Sequence, residues 1–175
     1  MRSVVFIVAL TLCDPNEPAL AQARDATGHW VLSETTSPVN YSPLVIATTS
    51  SRAESDGPTS LLSIACRDGR TELVITNIDS LGTRRTDGIM VTHQVSNQPV
   101  VQERWKVSTT GKRALFAGDV VRFLGSLPDQ GEISIRVRDS QGISHDARFL
   151  LDGLNVVREK VAAACNWPAG AVPRQ

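Results

Sequence analysis

Ile133-Ser134-Ile135-Arg136-Val137-Arg138-Asp139-Ser140-Gln141-Gly142-Ile143-Ser144-His145-Asp146-Ala147-Arg148-Phe149-Leu150-Leu151 decides the fold. Ile133, Ile135 and Val137 alternate with Ser134, Arg136 and Arg138, the period of a strand with one dry face. Asp139-Ser140-Gln141-Gly142 supplies turn chemistry. Alternation resumes with Ile143, His145, Ala147, Phe149 and Leu151 on the apolar side. This is a β-hairpin, and its pattern recurs elsewhere in the chain.

Upstream, Ile89, Val91, His93 and Val95 alternate with Met90, Thr92, Gln94 and Ser96. Asn97-Gln98-Pro99 turns the chain into Val101, Glu103, Trp105 and Val107, which alternate with Val100, Gln102, Arg104 and Lys106. Leu61 to Ala65 and Glu72 to Thr76 flank Arg67-Asp68-Gly69-Arg70, a second hairpin signal because Asp-Gly suits a tight turn. Trp30-Val31-Leu32 begins a strand, and Val45 to Thr49 continues as another after the turn-rich Ser37 to Pro43. Arg52 to Thr59 and Ile78 to Gly88 read as loops.

Two segments change period. In Asp119 to Leu127, Val120, Phe123, Leu124 and Leu127 fall on one helical face, with Pro128 just beyond. The last element carries Leu154, Val157, Val161 and Ala164 as a stripe, with Asp152 as the expected N-cap and Asn166-Trp167-Pro168 as the stop. Seven or eight short strands with two short helices predict a mainly β (α+β) fold. Its architecture is a β-sandwich-like domain with one short internal helix and a C-terminal helix packed on a sheet.

Residues 1–23 have the form of a secretory signal: Met1-Arg2, an apolar run from Val4 to Leu12, then small-x-small cleavage patterns at Ala19-Leu20-Ala21 and Ala21-Gln22-Ala23. Leu10-Thr11-Leu12-Cys13 offers the alternative of a lipoprotein anchored at Cys13, although Leu12 is large for such a site. A single β-rich domain over 24–168 and a flexible tail over 169–175 follow. The expected location is the periplasm or the exterior. No later apolar run approaches the ~20 residues that span a bilayer.

An oxidising location gives the two remaining cysteines, Cys66 and Cys165, a reason to pair. The bridge would pin the last helix to an early strand. It closes a loop worth about 4.7 kcal/mol in the chain-entropy model, before any strain is subtracted.

Lys+Arg and Asp+Glu are both 18 in 175 residues. That balance argues against nucleic acid and against a polybasic membrane patch. His29, His93 and His145 share no face, and no metal, nucleophile-elbow or phosphate-loop motif accompanies them, so neither metal, cofactor nor catalytic residue is assigned. His93 and His145 read as hydrogen-bonded core residues, and Glu132 and Asp139 as solvated strand ends. Arg104, Lys106, Arg136 and Arg138 lie on the polar sides of two strands and would form a basic stripe if those strands were neighbours, with Trp105 close by. Such a stripe suits an acidic protein partner, a cell-wall glycan or a small anionic ligand. A solvated outer sheet face is the plainer reading, and Trp105, sharing a face with Val101 and Val107, reads first as core.

One resemblance runs through residues 30–167. It is carried by Trp30 to Pro38, Leu61 to Arg67 ending in Cys66-Arg67, Thr71-Glu72-Leu73, Trp105 with Ser108, Asp146 to Phe149 leading into Leu151-Asp152-Gly153-Leu154, and Ala164-Cys165-Asn166-Trp167. In order and spacing these pieces resemble the VasI (TagO) family of type VI secretion-associated periplasmic proteins. Asn40-Tyr41 stand where that family usually carries an acidic residue. The resemblance implies a non-enzymatic envelope accessory protein with an envelope protein partner, and it carries over no catalytic residue.

Overall fold

A computed structural model describes residues 28–52, 59–76, 81, 88–139 and 141–172. The signal segment, Cys13, much of the two long loops and the last three residues of the tail lie outside the described residues. In chain order the elements are β1 (Val31–Thr36), β2 (Pro43–Ser50), β3 (Leu61–Arg67), β4 (Arg70–Thr76), β5 (Ile89–Val95), β6 (Val101–Val107), β7 (Arg113–Leu115), α1 (Val120–Ser126), β8 (Glu132–Arg138), β9 (Ser144–Leu150) and α2 (Leu154–Cys165).

The strands form one antiparallel sheet in the order β1-β2-β3-β4-β7-β6-β5-β8-β9. The mainly β fold with two helices is therefore as the sequence predicts, and the two layers are halves of a single sheet. The joint is β6. Its residues Val101 to Trp105 pair with β5, whereas Lys106 and Val107 pair with Leu115 and Ala114 of β7. A strand that changes partners in this way turns a sheet corner. β7 has only three residues and no alternation to reveal it, so the sequence reading lacks it. Just past β2, the Arg52 backbone N–H also donates to the Arg148 carbonyl of the edge strand β9 at 2.9 Å.

The register keeps one face of this curled sheet dry. Val45 and Ala47 oppose Cys66 and Ile64, which lead to Leu73 and Ile75. On the other half His93 opposes Ile135, and Ile135 opposes Ala147. These residues, with Trp30, Trp105, Ile133, Val137 and Phe149, are buried together. Local chemistry sets the register. Asp68 (φ 51°) and Gly69 (φ 69°) both take the left-handed conformation that a two-residue hairpin turn requires, and Gly69 does so without strain.

Both helices fill the inner side. Asp119 caps α1 by accepting from the Arg122 N–H. α2 packs on β2, β3 and β4, where Cys165 is disulfide-bonded to Cys66 with Cα atoms 5.6 Å apart. The N-cap of α2 is Gly153 in the left-handed conformation, not Asp152. The chain enters this helix from Leu151, whose carbonyl accepts from the Leu154 N–H, leaving no side-chain cap to make.

A charged residue ties the helices together. Arg158 of α2 is only 2% exposed. Its Nη1 donates to the Leu124 carbonyl at 3.1 Å and the Leu127 carbonyl at 2.9 Å, at the end of α1. Its Nη2 pairs with Asp129. Burial lowers the Arg158 pKa from its ordinary value, while the carbonyls and the carboxylate keep the cation partnered.

Candidate functional site

Strand alternation that sends His93, Ile135 and Ala147 inward must send their neighbours outward. Thr92 and Gln94 of β5, Ser134 and Arg136 of β8, and Asp146 and Arg148 of β9 occupy the outer face. The register arranges them in two rows, Thr92–Arg136–Asp146 and Gln94–Ser134–Arg148. Thr92 and Ser134 are short and diagonal to one another, with longer side chains around them. The result is a shallow trough of about 270 Å³, rimmed by Val100, itself 60% exposed.

One ion pair crosses this trough. Arg136 Nε lies 2.6 Å from Asp146 Oδ1, directly across the β8–β9 ladder. Both side chains are about half exposed, and the hydrogen bond and charge of Asp146 raise the Arg136 pKa further. An ion pair in water rearranges at little cost, so both groups remain available to an incoming polar partner.

The predicted basic stripe does not form. β5 stands between β6 and β8, so Arg104 and Lys106 are separated from Arg136 and Arg138. Arg104 lies across from Met90, and Lys106 across from Leu115 on the other half of the sheet. Arg138 opposes Ser144 and donates from Nε to the Gly142 carbonyl at 3.1 Å. Arg136 alone of the four lines the trough. Trp105 is 1% exposed and takes no part in the outer surface. Its ring meets Phe116 edge-on at 5.3 Å. The other two tryptophans are also structural: Trp30 is buried, and Trp167 Nε1 donates to Thr71 Oγ1 at 2.7 Å.

Asp139 differs from its sequence reading as a solvated end. It is buried, its Oδ1 accepts from the Gln141 and Ile143 N–H groups, and its Oδ2 lies 3.0 Å from His145 Nε2. The His145 contact first, then the backbone donors, hold the Asp139 carboxyl below its ordinary pKa. This arrangement closes the β8–β9 turn. His93 is buried: its Nδ1 has no hydrogen-bond partner, and the ring stands edge-on to Phe123 at 5.2 Å. Burial lowers its pKa, offset in part by Glu103. Among the described residues no group of three or more His, Cys, Asp or Glu side chains is placed to hold a metal ion, and no helix is long and apolar enough to cross a membrane.

Gln94, Asp146 and Arg148 were not singled out by the sequence reading. Alternation already marked them as outward-facing, but only the strand order brings them beside Arg136.

No family model matches the chain, and neither does any curated protein. Among solved structures, the crystal structure of invasion associated protein B from Bartonella henselae is similar to it, with a TM-score of 0.51 and 10% identity. The match covers 78% of this chain and 94% of that one, and it shows a shared fold.

Proposed function

We propose that this chain is a non-enzymatic accessory protein of the bacterial periplasm that holds an envelope protein on the outer face of β5, β8 and β9. The observation that carries this reading is the trough, where Arg136 and Asp146 face each other in solvent beside Thr92, Gln94, Ser134 and Arg148. These groups donate and accept hydrogen bonds in both senses, as a polar protein surface requires. The Cys66–Cys165 bridge supports an oxidising compartment. The link to type VI secretion rests on the VasI resemblance alone.

A second reading, a cell-wall glycan or small anionic ligand, draws on the same polar lining. It ranks below the first because sugar recognition commonly uses an exposed aromatic platform, and Trp105 is in the core.

A photoreactive residue at Ser134, introduced in the native host, tests both. Crosslinking to one envelope protein, abolished by Arg136→Glu with Arg148→Glu, supports the leading reading. Labelling of peptidoglycan instead moves the assignment to the glycan. Equal labelling from a control position at Lys112, exposed outside the trough, refutes the surface.

A further inference from the structure

The two halves of the sheet differ on their outer sides. Over β5, β8 and β9 the outer face is polar, as contact with water favours. Over β2, β3, β4 and β7 it is apolar. Alternation that sends Ala47 and Leu73 into the core sends Leu44, Ile46, Leu61, Ala65, Val74 and Leu115 outward. The register sets them side by side: Ile46 opposes Ala65, and Val74 opposes Leu115. Ala65 and Val74 are only 7% and 9% exposed, yet neither belongs to the core cluster. They form the floor of a strip whose other four apolar members are partly buried. Thr48 and Ser63 oppose one another on the same strip, and their hydroxyls satisfy each other at 3.2 Å. The rim is basic. Arg67 and Arg70 oppose each other across the β3–β4 hairpin, Arg113 opposes Thr76, and Lys106 opposes Leu115; all four are exposed. Glu72 is the one carboxylate on this face among the described residues of these strands. Asp68, in the turn between the two arginines, accepts from Asn40 Nδ2 at 2.8 Å. Like charges set opposite across a ladder cost stability, so folding alone does not account for the Arg67–Arg70 pair.

We propose that this strip is the docking face for an amphipathic helix of a partner protein, one whose apolar stripe is flanked by aspartate or glutamate. Shape and charge select that occupant. The inner side of β2, β3 and β4 already carries a helix, α2, over a floor that includes Ala47. The outer side of the same strands repeats that arrangement, with Ala65 as the small central residue. A helix suits a sheet face because its backbone groups are already paired, whereas an extended segment laid there would leave its own unpaired. Strands of 7 residues, about 23 Å long, match a helix of about 15 residues. The excess of cations on the rim calls for acidic flanks on the partner. A second copy of this chain brings the same cations and is repelled. An anionic membrane is a poor match, because the apolar floor lies below the arginine rim. Among the described residues the strip also holds no tryptophan, tyrosine or phenylalanine to anchor among headgroups. This face is separated from the trough by β6 and β7, and the inference does not rest on the role given to the trough.

Two synthetic helical peptides of about 15 residues test this, sharing one leucine stripe flanked by glutamate in the first and by lysine in the second. In fluorescence anisotropy the mature protein should bind the glutamate peptide tighter than the lysine peptide by about tenfold or more. Amide shifts in NMR should fall on β2, β3 and β4. Arg67→Glu relieves the like-charge pair, so it should keep or raise the thermal midpoint while weakening the glutamate peptide. Arg67→Glu with Arg70→Glu should reverse the preference between the peptides. Ile46→Glu should abolish binding of both with unchanged circular dichroism. Failure to bind at millimolar peptide, equal affinity for the two peptides, or shifts confined to β5, β8 and β9 overturns the proposal. So does binding to phosphatidylglycerol vesicles that Ile46→Glu abolishes, which assigns the strip to a membrane. A concentration-dependent dimer that Ile46→Glu dissociates overturns it too, in favour of a second copy.

Discussion

Arg158 and Arg136 each face a carboxylate, and their surroundings give them opposite tasks. Arg158 is sealed between α1 and α2, with two backbone carbonyls and Asp129 as partners. Arg136 lies on the outer sheet with Asp146, and both are open to water. A buried cation has already exchanged its hydration for fixed acceptors, so removing either side leaves an uncompensated group. A solvated pair gains little from its partner and loses little without it. The same chemistry therefore holds the helical end together and leaves the pair in the trough open to water.

The sharpest way to break this contrast is Arg158→Ala. It strips the end of α1 of its two donors and leaves Asp129 without its cation, and it should destabilise the protein by about 3–5 kcal/mol in urea unfolding. A loss under about 1 kcal/mol would put Arg158 in the same class as a surface arginine. Reduction of Cys66–Cys165 comes next. The bridge fastens α2 to β3, and its loss should lower stability by about 2–4 kcal/mol, read as a lower thermal midpoint in reductant. The third test is pH. The folded His93 pKa lies below the unfolded value near 6.5, so the unfolded chain binds the proton more tightly. Stability from this group is complete above pH 6.5 and is lost as pH falls from there through the folded pKa, at no more than ~1.4 kcal/mol per pH unit. His93→Phe should flatten that slope below about pH 6.5 while keeping the edge-on contact with Phe123. The smallest effect belongs to the exposed pair. Arg136→Glu should leave the thermal midpoint unchanged within error while reducing crosslinking through the trough; a large fall in midpoint would show that this pair is structural too.

The hairpins were legible because their signals are local. Ile133 to Leu151 carries its own alternation and turn, and Asp68-Gly69 carries its own left-handed geometry. The cysteine pair was legible by elimination. Strand order was not, because alternation states which side chains share a face and says nothing of which strand lies beside which. The supposed basic stripe failed on that point alone, with β5 inserted between its two halves. Arg158 was missed for a related reason. Val157-Arg158-Glu159-Lys160 reads as a charged solvated turn of helix, yet Arg158 falls in the stripe of Leu154, Val161 and Cys165. A cation in an apolar slot was the available hint, but its acceptors lie more than thirty residues away in sequence. The trough was half legible: its residues were marked as outward-facing, and their convergence required the register.

The covalent link between Cys66 and Cys165 also decides how this protein would behave under tension. A pull on its two ends runs through β1 and β2 to Cys66, crosses the bridge, and leaves through Cys165. Strands β4 to β9 and helix α1 lie within the bridged loop and carry no load along that path. The molecule can lengthen only by peeling the chain before Cys66 and straightening the short stretch after Cys165. A chain built this way can be stretched at its edge while the outer face of β5, β8 and β9 keeps its shape.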